Sequence, residues 1–219
     1  KDALDRAGVK RDEVDHLVFG TVVHDPHAGN IAREVGLGTL PASVPAPTVS
    51  RACATSNQAI TDAANLIEVG QADVVVAGGA ESLSHIPILV SEKLSETLVR
   101  LSKARSVGDR LGLLSRIRPK HLVPQTPQIA EPTTGETMGE SAERMAKANG
   151  VAREDQDAWA LRSHRLAAAG MDDGRLAAEI TRVYVPPKYE KVVAEDNGIR
   201  RDTSMEKLAG LRPVFDRRS

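Results

Sequence analysis

An α/β fold built on a parallel sheet is predicted by three stretches of this chain. Residues 72–77, ADVVVA, are an almost uninterrupted apolar run of strand length, the pattern of a strand covered on both faces. Ahead of them, Ala59-Ile60, Ala63-Ala64 and Leu66-Ile67 recur at three- and four-residue spacing. That spacing predicts an amphipathic helix of small side chains, starting near Ala54 and stopping at Gly70. Residues 47–50 are a short strand candidate before the helix. Strand, helix and strand within roughly thirty residues make a βαβ unit, for which a parallel sheet with a right-handed crossover is the economical arrangement.

The other elements follow in chain order. Residues 3–8 read as the last turns of a helix closing on Gly8. Leu17-Val18-Phe19 and Val22-Val23, bounded by turn residues, predict a strand within 13–23. A loop, His24-Asp25-Pro26-His27-Ala28-Gly29-Asn30, leads to a short helix over 31–37 and a Gly/Pro-rich passage to Pro47. His24 and His27 flank an open turn with no further ligand cluster, so no metal site is expected there. From Pro87 the texture changes. Between Glu92 and His121 eight basic residues stand against three acidic ones, a local charge of +5, with leucines at helical spacing. This reads either as a solvated helical insertion or as a docking patch for an acidic partner subunit or a membrane surface. Pro119, Pro124, Pro127 and Pro132 mark a loop; 141–148 and 155–169 read as helices ending near Gly150 and Gly170; 180–185 reads as a strand stopped by Pro186-Pro187. The organisation expected is a sheet domain over 1–90 and a mixed α/β segment over 91–219. The chain starts on Lys1 without Met and stops at Arg217-Arg218-Ser219, so a portion of a longer protein is expected.

Composition narrows the function classes. The 219 residues are 41% hydrophobic, enough for a real core. The formal charge is −1 and aromatic residues make up 2%, so no nucleic-acid partner is expected. One cysteine excludes an internal disulfide. No apolar run approaches the roughly 18 to 20 residues a membrane span needs, and no signal-peptide core opens the chain. The expectation is an intracellular protein, cytoplasmic, or of the mitochondrial matrix if eukaryotic.

The single cysteine, Cys53, lies where the strand candidate turns into the helix. A thiol there sits near unpaired N–H groups at the positive end of a helix dipole, which favours a nucleophile. A buried structural thiol is the competing reading, because free cysteine is among the most buried residue types. Position alone does not choose between them.

The surrounding motifs carry a resemblance. Ser50-Arg51-Ala52-Cys53-Ala54-Thr55-Ser56, followed by Val76-Ala77-Gly78-Gly79-Ala80-Glu81-Ser82-Leu83-Ser84, resembles the nucleophile helix and the next strand and turn of the thiolases. Ala7-Gly8-Val9, Gly20-Thr21-Val22 and Asn30-Ile31-Ala32-Arg33 resemble the run ahead of the thiolase cysteine. Met138-Gly139-Glu140-Ser141-Ala142-Glu143, Ile199-Arg200 and 211–216 resemble later motifs of the family, so the match runs through essentially the whole chain in order. The basic insertion is most similar to the thiolase subunits of fatty-acid oxidation complexes, the acetyl-CoA acyltransferase branch.

This resemblance implies thiolytic cleavage of a 3-ketoacyl-CoA through an acyl-cysteine intermediate on Cys53, with coenzyme A as substrate and no bound cofactor. It implies that Met138 lines the acyl path and that Arg200 contacts CoA, while 91–219 forms a loop domain over that site. Expected partners are a second copy in a homodimer or higher oligomer, a β-oxidation partner subunit at 92–121, and peripheral membrane contact. Gly78 and Gly79 are expected to allow a tight backbone passage, and His85 and His164 to be structural or surface residues. The pattern also departs from the family. Thiolases complete the site with a histidine and a second cysteine, yet this chain has one cysteine, and its first sheet strand and C-terminal half are expected to be missing. Little turnover is expected from these residues alone. Thr137 stands where biosynthetic relatives carry a histidine, which favours the degradative branch, and Lys207 departs from the expected CoA loop. The competing readings are a ketoacyl synthase of similar fold and a non-catalytic scaffold.

Overall fold

A computed structural model describes residues 1–125 and 130–216. The chain divides into two compact units, Lys1–Pro127 and Gln128–Ser219. The sequence places the division earlier, after residue 90. Residues 89–125 close on themselves: Leu89 and Gln125 exchange backbone hydrogen bonds of 2.8 Å, and Ser91 Oγ donates to the His121 carbonyl at 2.9 Å. Of the proline-marked loop, 126–129 lie outside the described residues, as does Arg217-Arg218-Ser219.

The first unit carries a three-stranded parallel sheet in the order β2-β1-β3, where β1 is His16–Gly20, β2 is Thr48–Val49 and β3 is Val75–Gly79. Helix α1 (Asp2–Ala7) ends on Gly8 at φ 67°, as its glycine predicts. Helix α2 (Ile31–Leu37) covers one sheet face, and α3 (Thr55–Glu68) packs on β1 and β3. The βαβ unit is present, with β1 lying between its two strands. Alternation puts Leu17 into a core with Leu4, Val14, Ala32, Leu40, Val44 and Ala46. Leu17 is 2% exposed and Val18 1%, so β1 is covered on both faces. On α3, Ala59 and Ala63 are buried; their small side chains let the helix sit close.

Two strand boundaries differ from the expected ones, for one reason. Residues 22–23 do not continue β1, because the Val22 and Val23 N–H groups donate to the Glu81 carboxylate at 2.8 and 3.1 Å. At the other end, β3 starts at Val75 because Asp15 accepts from the Asp73 and Val74 N–H groups at 2.8 and 2.9 Å. At both places a carboxylate takes backbone N–H groups next to the strand end. β3 is half-buried rather than covered on both faces.

The Val74 and Asp73 backbone N–H bonds hold Asp15 below its ordinary value of 3.8, against the upward push of burial. A depressed carboxyl stabilises the fold above its unfolded value, and that stability is lost as pH falls through the lower folded value. We therefore expect Asp15→Asn to weaken the fold at neutral pH and to remove part of the stability loss seen in wild type on acidification below pH ~3.8. Faster amide exchange at Asp73 and Val74 in the variant checks this; unchanged exchange refutes it.

The basic insertion forms α4 (Glu92–Lys103) and α5 (Val107–Leu114), capped by Ser91 and Ser106. In the second unit, α6 (Met138–Ala148) and the 20-residue α7 (Arg153–Asp172) are followed by α8 (Arg175–Glu179), the antiparallel pair β4 (Val183–Tyr184) and β5 (Val192–Val193), and α9 (Met205–Ala209). Gly170 does not end α7. It is buried within the helix, where an added Cβ would lie 3.1 Å from Leu176 Cγ, and the left-handed turn falls at Gly174 instead. The buried carboxylate of Asp157 pairs with Arg153 at 3.0 Å, and Arg153 also donates to the Leu208 and Leu211 carbonyls at 3.0 Å. One guanidinium thereby ties α9 to α7.

Candidate active site

The three parallel strands converge with the start of α3, the end of such a sheet where α/β proteins place their ligands. Asn30 sets the approach. Its side chain caps α2 by accepting from Arg33 N at 3.0 Å, donates to the Ala46 carbonyl at 3.1 Å, and accepts the Thr48 hydroxyl at 2.6 Å. Arg33 donates to the Val44 and Ala42 carbonyls. The Asn30–Arg33 motif therefore fixes the strand that delivers Cys53.

After β2 the backbone turns sharply. Ala52 adopts φ 45°, in the left-handed region that L residues with a Cβ avoid, and Cys53 follows it directly. Such strain, of order 1–3 kcal/mol, persists only where surroundings impose it, and it clusters at functional sites. Here Thr55 imposes it. The Thr55 hydroxyl accepts from Arg51 N at 2.8 Å and donates to the Ala52 carbonyl at 2.6 Å, closing the turn around the cysteine. Cys53 is an exposed free thiol, so the reading of it as a buried structural residue fails. It stands two residues before the first residue of α3.

Glycines let the helix start sit on the strand ends. A Cβ on Gly20 would overlap the Thr55 methyl, and one on Gly79 would lie 2.8 Å from Ser56 Oγ and 3.0 Å from the Gly20 carbonyl. A Cβ on Gly78 would come within 3.3 Å of the Phe19 ring. The close passage at Gly78-Gly79 packs Gly78 on Phe19 and seats the start of α3, next to the Cys53 turn, on Gly79.

Glu81 braces the same strand ends. Besides Val22 and Val23 N–H, it accepts the Thr21 hydroxyl and its neighbour Ser82 N–H, each at 3.3 Å. Burial pushes its carboxyl up, but the bonds from Val23, Val22, Ser82 and Thr21 outweigh this and hold it below the ordinary glutamate value. In the sequence Glu81 stands out only as part of a motif. A glutamate just past a buried-type strand is the available signal, but its partners are almost 60 residues away.

The other candidate residues lie in the second unit. Met138 opens α6 and is 51% exposed. Thr137 caps that helix in a reciprocal box with Glu140, its hydroxyl accepting Glu140 N–H at 3.3 Å. Gly139 is needed because a Cβ there would overlap the Phe215 ring, which links the Met-Gly motif to 211–216. Arg200 is exposed, and its N–H donates to His164 Nδ1 at 3.2 Å, giving His164 a structural role. Lys207 bonds Asp202 at 2.7 Å. His27 pairs with Asp25 at 3.0 Å, and no group of three or more potential metal ligands converges among the described residues. A cavity of about 350 Å³ beside α3 is lined by His16, Asp62, Asn65 and Gln71 among others; Cys53 does not line it.

The family model of the thiolase N-terminal domain matches residues 1–218. This chain belongs to the thiolase family. It is 50% identical over 217 residues to a 3-ketoacyl-CoA thiolase of Pseudoalteromonas translucida (strain TAC 125), covering 99% of this chain and 50% of that protein. Identity to a 3-ketoacyl-CoA thiolase of Yersinia pestis (strain Pestoides F) is 49%, with the same coverage. The crystal structure of the Bacillus anthracis acetyl-CoA acetyltransferase is 30% identical and superposes with a TM-score of 0.80, over 98% of this chain and 51% of that one. The thiolase-family chain thus spans about half the length of the curated relatives it matches. The α/β thiolase fold expected from the motifs is the fold observed.

Proposed function

We propose that this chain supplies the nucleophile of a degradative thiolase, which cleaves a 3-ketoacyl-CoA to acetyl-CoA and a shortened acyl-CoA. One observation carries the reading: an exposed cysteine on a strained turn, locked by Thr55, at the head of α3. In the reaction the Cys53 sulfur bonds to the ketone carbon, the bond to the neighbouring carbon breaks, and acetyl-CoA leaves after that carbon takes a proton. CoA thiol then attacks the Cys53 thioester, and the sulfur regains its proton. A thioester keeps the acyl group activated between the two halves, hence ping-pong kinetics. In this reading Met138 lines the acyl path, where a flexible thioether suits chains of several lengths. Arg200 meets the phosphates or adenine of CoA, to which a guanidinium offers a matching fork. Residues 91–219 serve as the loop domain of this reading, and the enzyme works as a homodimer or larger oligomer in a reducing, cytoplasmic setting. The base that activates Cys53 and the acid that completes thiolysis come from the other half of the thiolase, so these 219 residues alone turn over little substrate.

Iodoacetamide tests the nucleophile: alkylation of Cys53 at neutral pH is expected to outpace that of glutathione, and a rate no faster favours a scaffold. For the insertion we propose docking to the acidic subunit that makes the 3-ketoacyl-CoA. Leu98, Val107 and Leu111 of α4 and α5 are exposed at 47%, 73% and 63% beside the basic side chains. Charge reversal of Arg110, Arg116 and Arg118 to Glu is expected to weaken co-purification with that subunit by tenfold or more, on the order of 0.5 kcal/mol for each exposed ion pair removed, with repulsion added. Unchanged co-purification, or retention only on anionic vesicles, overturns the docking.

A further inference from the structure

We infer that Glu81 is the positioning residue of the Cys53 turn, holding it through a carboxylate brace between the exits of β1 and β3. The inference rests on the reading of Cys53 as nucleophile and adds to it a residue that touches no substrate.

The brace is built from four donors on two oxygens. Oε2 takes the Val22 and Val23 N–H groups at 2.8 and 3.1 Å; Oε1 takes the Thr21 hydroxyl and the Ser82 N–H, both at 3.3 Å. Thr21 is 8% exposed, and its own N–H donates to the Val49 carbonyl at 3.3 Å. Val49 ends β2, four residues before Cys53. A continuous path therefore runs from the Glu81 carboxylate through Thr21 to the strand that delivers the nucleophile. A second path closes it: Ala80 N–H donates to the Gly20 carbonyl at 3.0 Å, and Gly20 and Gly79 are the seat of Thr55 and Ser56. Glu81 fixes both strand ends on which the first turn of α3 rests.

The chemistry demands a carboxylate. Glu81 lies on the surface and makes no ion pair among the described residues, yet both its oxygens accept from backbone and hydroxyl donors of the protein. An amide of the same shape offers one acceptor oxygen and turns an NH2 group toward N–H donors. Gln is thus a near-isosteric test that removes half the brace and adds a repulsion. Asp15 provides the control, because it clamps the start of β3 through the same two-donor geometry at the opposite end of the strand.

The experiment measures the second-order rate of iodoacetamide alkylation of Cys53 in the 219-residue chain, folded and in urea, for wild type, Glu81→Gln, Thr21→Val and Asp15→Asn. Loss of the brace is expected to carry the thiol away from the N–H groups at the head of α3, which favour a reactive thiol, so we expect Glu81→Gln to slow alkylation of the folded chain on the order of tenfold. Thr21→Val, which deletes one donor and keeps the volume, is expected to slow it about threefold, with all rates equal in urea. Asp15→Asn, which weakens the same strand, is expected to leave the rate unchanged, whereas a merely structural role for Glu81 would move both carboxylate variants together. Wild-type rates in folded Glu81→Gln and Thr21→Val overturn the inference. If Glu81→Gln does not fold, Thr21→Val decides alone. Glutathione separates this from the parent reading: a wild-type Cys53 alkylated no faster than glutathione refutes the nucleophile, while the comparison among the variants still reports on the brace.

Discussion

Cys53→Ser is expected to abolish the slow, base-free exchange of acetyl groups between acetyl-CoA and this chain. In wild type the expected step is thiol–thioester exchange: the Cys53 sulfur bonds to the acetyl carbon, the bond to the CoA sulfur breaks, and CoA leaves with the proton. The product is one acetyl group per chain, removed again by added CoA. A serine hydroxyl at the same place has the shape but not the nucleophilicity, since an alcohol needs an adjacent base to react. No side chain hydrogen-bonds to Cys53 among the described residues, so nothing here would activate the serine. We expect the rate to fall by about 10³-fold or more, in line with the loss of other nucleophiles. The fold should be unaffected, because the thiol is exposed and fills no core space. Intact mass spectrometry against time checks it. An acetylated serine variant at wild-type rate would sink the assignment, as would acetyl groups placed on lysines alone.

Gly20→Ala has the largest effect expected on stability. The added methyl would overlap the Thr55 Cγ2, and Thr55 is only 6% exposed. Its side chain cannot rotate away cheaply, because its hydroxyl already holds Arg51 N–H at 2.8 Å and the Ala52 carbonyl at 2.6 Å. Either the helix start lifts off the strand or both bonds break. Overpacking of this kind costs roughly 1–3 kcal/mol, and two broken hydrogen bonds add about 1 kcal/mol each. A loss of about 3 kcal/mol on urea unfolding is the expected result, with slower alkylation of Cys53. Gly112→Ala in α5 is the control: a Cβ there meets nothing within 4 Å, and the gain in helix propensity, up to ~1 kcal/mol, should leave that variant as stable as wild type or more so. Equal unfolding midpoints for Gly20→Ala and wild type would mean that the seat of the turn is looser than this geometry.

Local signals in the chain are enough to place most elements. Helix α2 has the bounds its sequence predicts, because Asn30 is a strong cap and the apolar spacing is regular. Gly8 and Gly150 stop helices where expected, since each takes a positive φ that a side chain would oppose. Gly170 misleads for the same reason: a glycine in sequence reads as a stop, but this one exists to admit Leu176 against α7. The pairing of Val183–Tyr184 with Val192–Val193 also escapes a reading of the sequence, because half of that hairpin carries no strand-length run.

The sequence by itself determined the α/β class, the thiolase membership and the place of Cys53 just ahead of α3, because these rest on residue types and spacings a few positions apart. Only the tertiary structure decided that Ala52 is strained, that Thr55 locks the turn, and that Gly20, Gly79 and Glu81 form its seat. The physical reason is range. A carboxylate that meets N–H groups almost 60 residues earlier, or a glycine that makes room for a methyl on another element, has no local pattern until the chain folds back upon itself.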